Sequence, residues 1–128
     1  MPKILRPHLD QEQRLSQAYV KQKFETGQWG RHINIDKQRP HNELTRAPGK
    51  SYLLASVDAQ ELFDKYAGTG VMRESRLGHY TNQELIHADQ YIGYAYSGSQ
   101  LYLTKEFKIH HSKNRTHIVP FYNPEYVK

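Results

Sequence analysis

Hydrophobic and polar positions change their spacing midway along the chain, from a helical period to alternation. Residues 8–26 keep helical spacing, and Asp10 with Gln13 three positions later forms a capping-box pattern at the start. Gly27 supplies the stop signal. A second helix is predicted to begin at Ser56 and to end at the glycines that follow it. Its apolar face consists of Val57, Leu62, Phe63 and Tyr66.

The segment between these helices, residues 29–50, is polar and broken by Pro40 and by the Pro48-Gly49 pair. Proline and glycine at these positions are typical of an ordered loop, and they allow at most a single short strand at Ile33–Ile35. A further short strand is predicted at Ser51–Leu54. We therefore expect this loop to separate the two helices with no regular element longer than a short strand.

The remainder of the chain alternates and predicts strands separated by turn residues at Asn82, Asp89 and Ser97–Ser99. The predicted strands are Val71–Glu74, Glu84–His87, Tyr91–Tyr96, Tyr102–Ser112 and Thr116–Tyr122. Connections this short favour an antiparallel meander. The order predicts an α+β fold, in which N-terminal helices pack on one face of a four- to five-stranded antiparallel sheet and leave the other face for a ligand.

Composition narrows the classes of function. The chain has 128 residues, which suits one domain, and 18 Lys and Arg against 13 Asp and Glu give a net charge of +5. A cationic surface favours a polyanionic partner such as RNA. The absence of cysteine excludes disulfides, thiol catalysis and cysteine-based metal sites. No stretch approaches the roughly 18 apolar residues of a membrane span, so we expect a soluble chain with no membrane partner.

The densest polar cluster lies at residues 108–120, on a predicted hairpin. A three-residue loop at Lys113–Arg115 would place Ser112 opposite Thr116 and His111 opposite His117. In that register Phe107, Ile109, His111 and His117 share one face. The other face would carry Lys108, His110, Ser112, Thr116 and Ile118.

Two imidazoles beside hydroxyl and ammonium groups suit RNA cleavage, because one can accept a proton while the other donates one. This chemistry needs neither a metal nor a cofactor. A second basic cluster at residues 31–41 contains His41, and a distant loop often supplies one partner of a site on a sheet. Each cluster is also compatible with a merely solvated surface.

Three blocks of the sequence, at residues 35–41, 59–70 and 107–120, resemble the bacterial polymorphic toxin type 50 domain. That family is assigned to the barnase, EndoU, colicin and RelE-like superfamily of metal-independent ribonucleases. The chain departs from the family pattern at His111, where an aromatic residue such as Tyr is expected, and at Arg115, where Gly is common. With the clusters above, the resemblance implies catalytic roles for His41, His117, His110, Ser112, Thr116 and Lys37. The expected RNA-binding residues are Gln38, Lys108, Lys113 and Arg115, and no metal ligands are expected.

The resemblance further implies a single toxin nuclease domain, with residues 31–128 as the catalytic core and residues 1–30 as a helical extension. We expect an endoribonuclease that leaves a 2′,3′-cyclic phosphate, with tRNA as one candidate substrate. It would be secreted or delivered as the C-terminal domain of a larger toxin, would act in the target-cell cytoplasm, and would be neutralised by a cognate acidic immunity protein. The alternative is a noncatalytic RNA-binding module, whose stacking surface would be Tyr91, Tyr94, Tyr96 and Tyr102, or an interaction domain of a phage particle.

Overall fold

The computed structural model describes residues 7–123, and within them helices precede most of the strands. The helices are α1 (Pro7–Glu25), α2 (Ile35–Gln38) and α3 (Ala59–Tyr66), with 3-10 turns at Arg39–His41 and Glu43–Thr45. The strands are β1 (Tyr52–Leu53), β2 (Val71–Glu74), β3 (Tyr80–His87), β4 (Gly93–Ser97), β5 (Gln100–Thr104), β6 (Glu106–His110) and β7 (His117–Pro120). This order confirms the predicted α+β fold. No helix in residues 7–123 has the length and apolar character needed to cross a bilayer.

The strands form two antiparallel sheets, where the alternation predicted one. One sheet has the order β1-β4-β5, and the other has the order β2-β3-β6-β7. The predicted strand Tyr102–Ser112 divides at Lys105, because Thr104 pairs with Gly93 in the first sheet while Glu106 pairs with His87 in the second. The chain therefore passes from one sheet to the other within three residues.

The helix ends follow local capping groups, and two of the predicted start signals are wrong. Helix α1 begins at Pro7, so Asp10 lies inside it, and it ends at Glu25, two residues before the predicted stop at Gly27, which has a positive φ of 75°. Helix α3 is capped by Asp58, which accepts the backbone N–H of Glu61 at 3.0 Å, and not by Ser56.

Two further local predictions are wrong: the strand at Ile33–Ile35 and the turn at Asn82. The strand predicted at Ile33–Ile35 is absent because Asn34 caps α2, accepting the N–H of Lys37 at 2.9 Å. Asn82 lies within β3 and makes no turn. Its side chain donates to the carbonyl of His111 at 2.7 Å, and its own carbonyl accepts the His111 N–H at 2.9 Å.

The helices cover one face of the four-stranded sheet, here called the inner face. Phe63 of α3 is 2% exposed and belongs to the main core, while Val20 of α1 packs with Trp29 and Met72. The sheet residues of the inner face are Met72, Glu84, Ile86, Phe107, Ile109 and Ile118. Side chains alternate along strands, so the intervening residues lie on the opposite, outer face.

The last hairpin differs by one residue from its predicted register. His110 pairs with His117, and Ile109 pairs with Ile118, so the loop runs from 111 to 116 instead of from 113 to 115. The shift places His117 on the outer face with His110 and Lys108, whereas the sequence register placed it with Ile109.

His111 turns into the core, on the face where the predicted register also placed it. Its ring stacks on Trp29 with centroids 4.4 Å apart and planes 4° apart, and its Nε2 lies 2.8 Å from Oε1 of the buried Glu84. The longer loop therefore leaves His111 facing inward and moves its predicted partner, His117, to the outer face. The position expected to be aromatic thus does pack among aromatic rings.

Candidate active site

The segment from Gly30 to His41 lies against the last hairpin, although the two are far apart in sequence. The N–H of Gly30 donates to the carbonyl of Ser112 at 2.9 Å, and the N–H of Asn34 donates to the carbonyl of Thr116 at 2.8 Å. The approach requires glycine at position 30, since a Cβ there would lie 2.4 Å from the carbonyl oxygen of Lys113. These bonds fix the segment along the free edge of β7.

Gln38 completes the attachment with two hydrogen bonds to one residue. Its Nε2 donates to the carbonyl of Ile118 at 2.9 Å, and its Oε1 accepts the N–H of Ile118 at 2.7 Å. The side chain is 2% exposed, so both polar ends are used inside the protein. The structure thus gives Gln38 a positioning role, three residues before His41. Its predicted contact with RNA remains a prediction.

Three histidines form a row at the edge of the outer face. The rings of His110 and His117 stack with centroids 4.7 Å apart and planes 8° apart. His41 lies on the far side of His117, with centroids 5.8 Å apart and planes 17° apart. Residues from the two ends of the candidate motif, 76 positions apart in sequence, therefore share one site.

Backbone carbonyls orient two of these rings. Nδ1 of His41 donates to the carbonyl of Ser51 at 2.9 Å, and Nδ1 of His117 donates to the carbonyl of Arg115 at 3.0 Å. A carbonyl is only an acceptor, so each Nδ1 carries a hydrogen and each Nε2 is left for a substrate. This is the tautomer that proton transfer at Nε2 requires.

The surroundings of His110 and His41 favour neutral imidazole. Burial lowers the pKa of His110 from 6.5 to about 4, and repulsion from His117 adds to this, followed by smaller contributions from Lys108, His41 and His111. Burial also lowers the pKa of His41, opposed by its bond to Ser51 and assisted by His117. A neutral imidazole can accept a proton at neutral pH.

The outer face also carries Lys108, which the sequence predicted to bind RNA, and Arg73 and Gln83, which the sequence did not single out. Lys108 lies between the histidine row and Glu106, and burial, with repulsion from Arg73, lowers its pKa. Arg73 donates to Oε1 of Gln83 at 2.9 Å. In the structure β3 pairs with β6 so that Gln83 lies beside His110 and His87 lies beside Glu106. The predicted strand began only at Glu84, so it did not include Gln83.

Glu106 and His87 form a contact at the opposite end of this face. The carboxylate of Glu106 is bonded to Nδ1 of His87, and its side chain is only 5% exposed. Burial raises the pKa of Glu106, and the contact with His87 opposes that rise. A buried acid at the end of a ligand-accessible face is a further candidate for recognition.

The other predicted residues lie at the hairpin turn and in α2. Thr116 is fully buried, and its hydroxyl accepts the N–H of Ser112 at 3.0 Å and donates to the Ser112 carbonyl at 2.9 Å. The Ser112 hydroxyl accepts the N–H of Arg115 at 3.2 Å. Lys37, Lys113 and Arg115 are exposed. Within residues 7–123 no group of three or more metal-ligating side chains is arranged to hold a metal ion.

Comparison with known proteins identifies the family of the chain. A search of curated proteins found no match. The profile of the bacterial toxin 50 family matches residues 33–120, which begin in the segment that carries His41 and end at the last residue of β7. The match covers more than half of the chain and includes every residue of the histidine row. The chain therefore belongs to the bacterial toxin 50 family and is a bacterial polymorphic toxin domain.

Proposed function

We propose that this toxin domain is a metal-independent endoribonuclease that uses the RNA 2′-hydroxyl as the nucleophile. The observation that carries the proposal is the row of three stacked histidines, to which a remote loop contributes His41. Paired imidazoles on a cationic, open sheet face provide both the proton transfers and the attraction for a phosphodiester that this reaction needs.

His41 acts as the general base. Its Nε2 is the unprotonated nitrogen, since Nδ1 donates to Ser51, and burial lowers its pKa so that it is neutral at pH 7. It takes the proton of the 2′-hydroxyl while that oxygen attacks the adjacent phosphorus. The bond that forms closes a 2′,3′-cyclic phosphate.

His117 acts as the general acid. Its imidazolium gives the Nε2 proton to the departing 5′-oxygen as the bond from phosphorus to that oxygen breaks. The proton taken up by His41 balances the proton given by His117, so the net charge of the enzyme is unchanged, and proton exchange with water restores the starting protonation state of each histidine. His110 stacks on the other side of His117 and holds its ring orientation.

Lys108 and Arg73 supply positive charge to the phosphate. Lys108 adjoins His110 on the outer face, and the two cations are close enough for Arg73 to lower the pKa of Lys108. Ser112 and Thr116 were expected to bind the phosphate, but their hydroxyls are engaged in the turn. We therefore assign the charge stabilisation first to Lys108.

The test is cleavage of a fluorescent single-stranded RNA in excess EDTA by His41→Ala and His117→Ala. Each substitution should lower the rate by about 10²–10⁴-fold, the effect of losing one general acid or base. His79→Ala is the matched control, because His79 lies exposed in the turn before β3. Full activity in either variant would remove that histidine from the mechanism. RNA binding without cleavage by the wild type would favour the noncatalytic alternative.

A cognate immunity protein would compete with RNA for the same positive surface. Lys113 and Arg115 are exposed at the hairpin turn beside His117, so an acidic partner would be steered there. The double variant Lys113→Glu, Arg115→Glu should slow association and flatten its dependence on salt. Association that responds to neither the reversal nor the salt would contradict this docking site.

A further inference from the structure

A second concave region lies at the end of the four-stranded sheet away from the histidine row. It is an open cavity of about 370 Å³ with His87 and Glu106 among its walls. Its walls toward the outer face also include Val71, Leu85, Phe121 and Asn123, and its walls toward the helices are Gln13, Tyr66, Thr69, Gly70 and Ile86. The cavity therefore combines apolar walls with one buried acid, which is the usual character of a small-ligand site.

The charge of this cavity differs from that of the histidine row. Glu106 contacts His87 and is 4% exposed, so the polar group here is a carboxyl and not a cluster of cations. A carboxylate repels phosphate but accepts hydrogen bonds from N–H groups. The ligand chemistry that fits is a flat, uncharged group with N–H donors on its edge.

Strand β6 connects the cavity to the proposed cleavage site. Glu106, Lys108 and His110 alternate on one face, so neighbouring members are about 6.6 Å apart along the strand. The ammonium of Lys108 lies 5.7 Å from the centre of the Phe121 ring, which is also a wall of the cavity. A phosphate bound at Lys108 would thus have its attached nucleoside within reach of Phe121.

We infer that this cavity binds one nucleobase of the RNA substrate, with the base against Phe121 and its N–H edge toward Glu106. The inference rests on the proposed function, and it makes the cavity the determinant of base preference. Base contact with an aromatic ring tolerates any base, whereas the carboxylate discriminates by the donors on the edge.

Binding of free nucleosides tests the cavity without cleavage. Guanosine, adenosine, cytidine and uridine carry no phosphate, so each can be titrated into ¹⁵N-labelled protein and followed by NMR. At least one should shift the amides of His87 and Phe121, and Phe121→Ala should weaken that binding about tenfold, as for one lost base–aromatic contact. Tyr91→Ala is the matched control, because Tyr91 is an exposed aromatic outside the cavity.

Cleavage of RNAs that differ in one base beside a single cut site tests the preference. Glu106→Gln should reduce the ratio of rates between the best and worst base. Val71→Phe fills the cavity without altering the acid and should do the same if the Glu106 variant fails to fold. Nucleoside binding that is absent, or equal in all variants, would overturn the inference.

The two proposals can fail separately. Wild-type protein that cuts RNA with no base preference, in every variant alike, would refute the base site and leave the ribonuclease standing. Cavity-dependent nucleoside binding by a protein that cuts no RNA would refute the ribonuclease and support a nucleobase site. Binding of a protein to this cavity in preference to any nucleoside would count against the base site.

Discussion

Replacement of His110 by glutamine should change how the stability of the protein depends on pH. His110 is half-buried on the outer face, and burial is the main cause of its lowered pKa. The charged and titratable groups that act on it are His117, Lys108, His41 and His111. Glutamine keeps a polar side chain of similar length but cannot take up a proton in this range.

The sign follows from the two states of the chain. The unfolded chain protonates this histidine as the pH falls below 6.5, whereas the folded protein protonates it only near pH 4. The unfolded state therefore binds more protons between these values. The stability associated with neutral His110 is fully present above pH 6.5 and is lost as the pH falls from 6.5 toward 4.

The size of the loss comes from the separation of the two pKa values. At about 1.4 kcal/mol for each pKa unit, lowering from 6.5 to about 4 sets an upper bound of about 3 kcal/mol of unfolding free energy, and solvent screening of this half-buried ring reduces it to about 1–2 kcal/mol. His41 contributes with the same sign, and the raised pKa of Glu106 contributes with the opposite sign. Both remain in the variant, so the comparison of wild type with His110→Gln removes them to first order.

Urea denaturation at a series of pH values between 7.5 and about 4 measures the effect. The unfolding free energy of the wild type should fall more steeply with decreasing pH than that of His110→Gln, by about 1–2 kcal/mol across the range. His79→Gln, at an exposed turn, is the control and should keep the wild-type slope. Parallel curves for wild type and His110→Gln would refute the argument from burial and repulsion.

Three other substitutions probe the contacts that support the site. Gln38→Leu leaves the N–H and carbonyl of Ile118 unpaired and should cost about 2–4 kcal/mol in urea denaturation, whereas an exposed substitution in α2 should cost little. Gly30→Ala puts a Cβ against the Lys113 carbonyl and should lower the melting temperature and the cleavage rate together; an unchanged rate would uncouple this contact from the site. His111→Ala should destabilise by about 3 kcal/mol or more, since it empties a fully enclosed ring position, and His111→Phe should recover only the packing part of that loss, because it leaves the buried Glu84 carboxylate without its imidazole partner.

Local signals in the sequence predicted several element boundaries because their causes are local. Strand β2 has the predicted bounds, and Gly27 and Gly98 end their elements with positive φ, as glycine permits. The clustering of polar residues on the last hairpin also follows from the sequence. These features depend on neighbours within a few residues.

Features that depend on distant contacts were not predictable in that way. The break at Lys105 is invisible to alternation, because residues on both sides of it alternate correctly in different sheets. The hairpin register depends on the loop at 111–116, in which Thr116 bonds to Ser112 and also accepts the N–H of the remote Asn34. A one-residue change in register reverses every face, so His117 moved to the outer face with His110.

The candidate site also combines features that the sequence predicts with features that depend on distant contacts. The resemblance to the toxin family brought His41 and His117 into one hypothesis, and the structure places their rings 5.8 Å apart. The positioning by Gln38 and the contact of Glu106 with His87 arise only from the packed fold. The alternating pattern would have placed Glu106 on the outer face with Lys108 only if the start of β6 had been known.

Cleavage of an RNA with a single 2′-deoxy substitution tests the central claim most directly. The substrate is first mapped with the wild-type protein in excess EDTA, and the nucleotide 5′ of the cut is then replaced by its 2′-deoxy form. Cleavage at that position should stop while other sites are still cut, and mass spectrometry of the products from unmodified RNA should find a 2′,3′-cyclic phosphate end. Continued cleavage at the deoxy position, or loss of all cleavage in EDTA, would contradict catalysis by His41 and His117 through the 2′-hydroxyl.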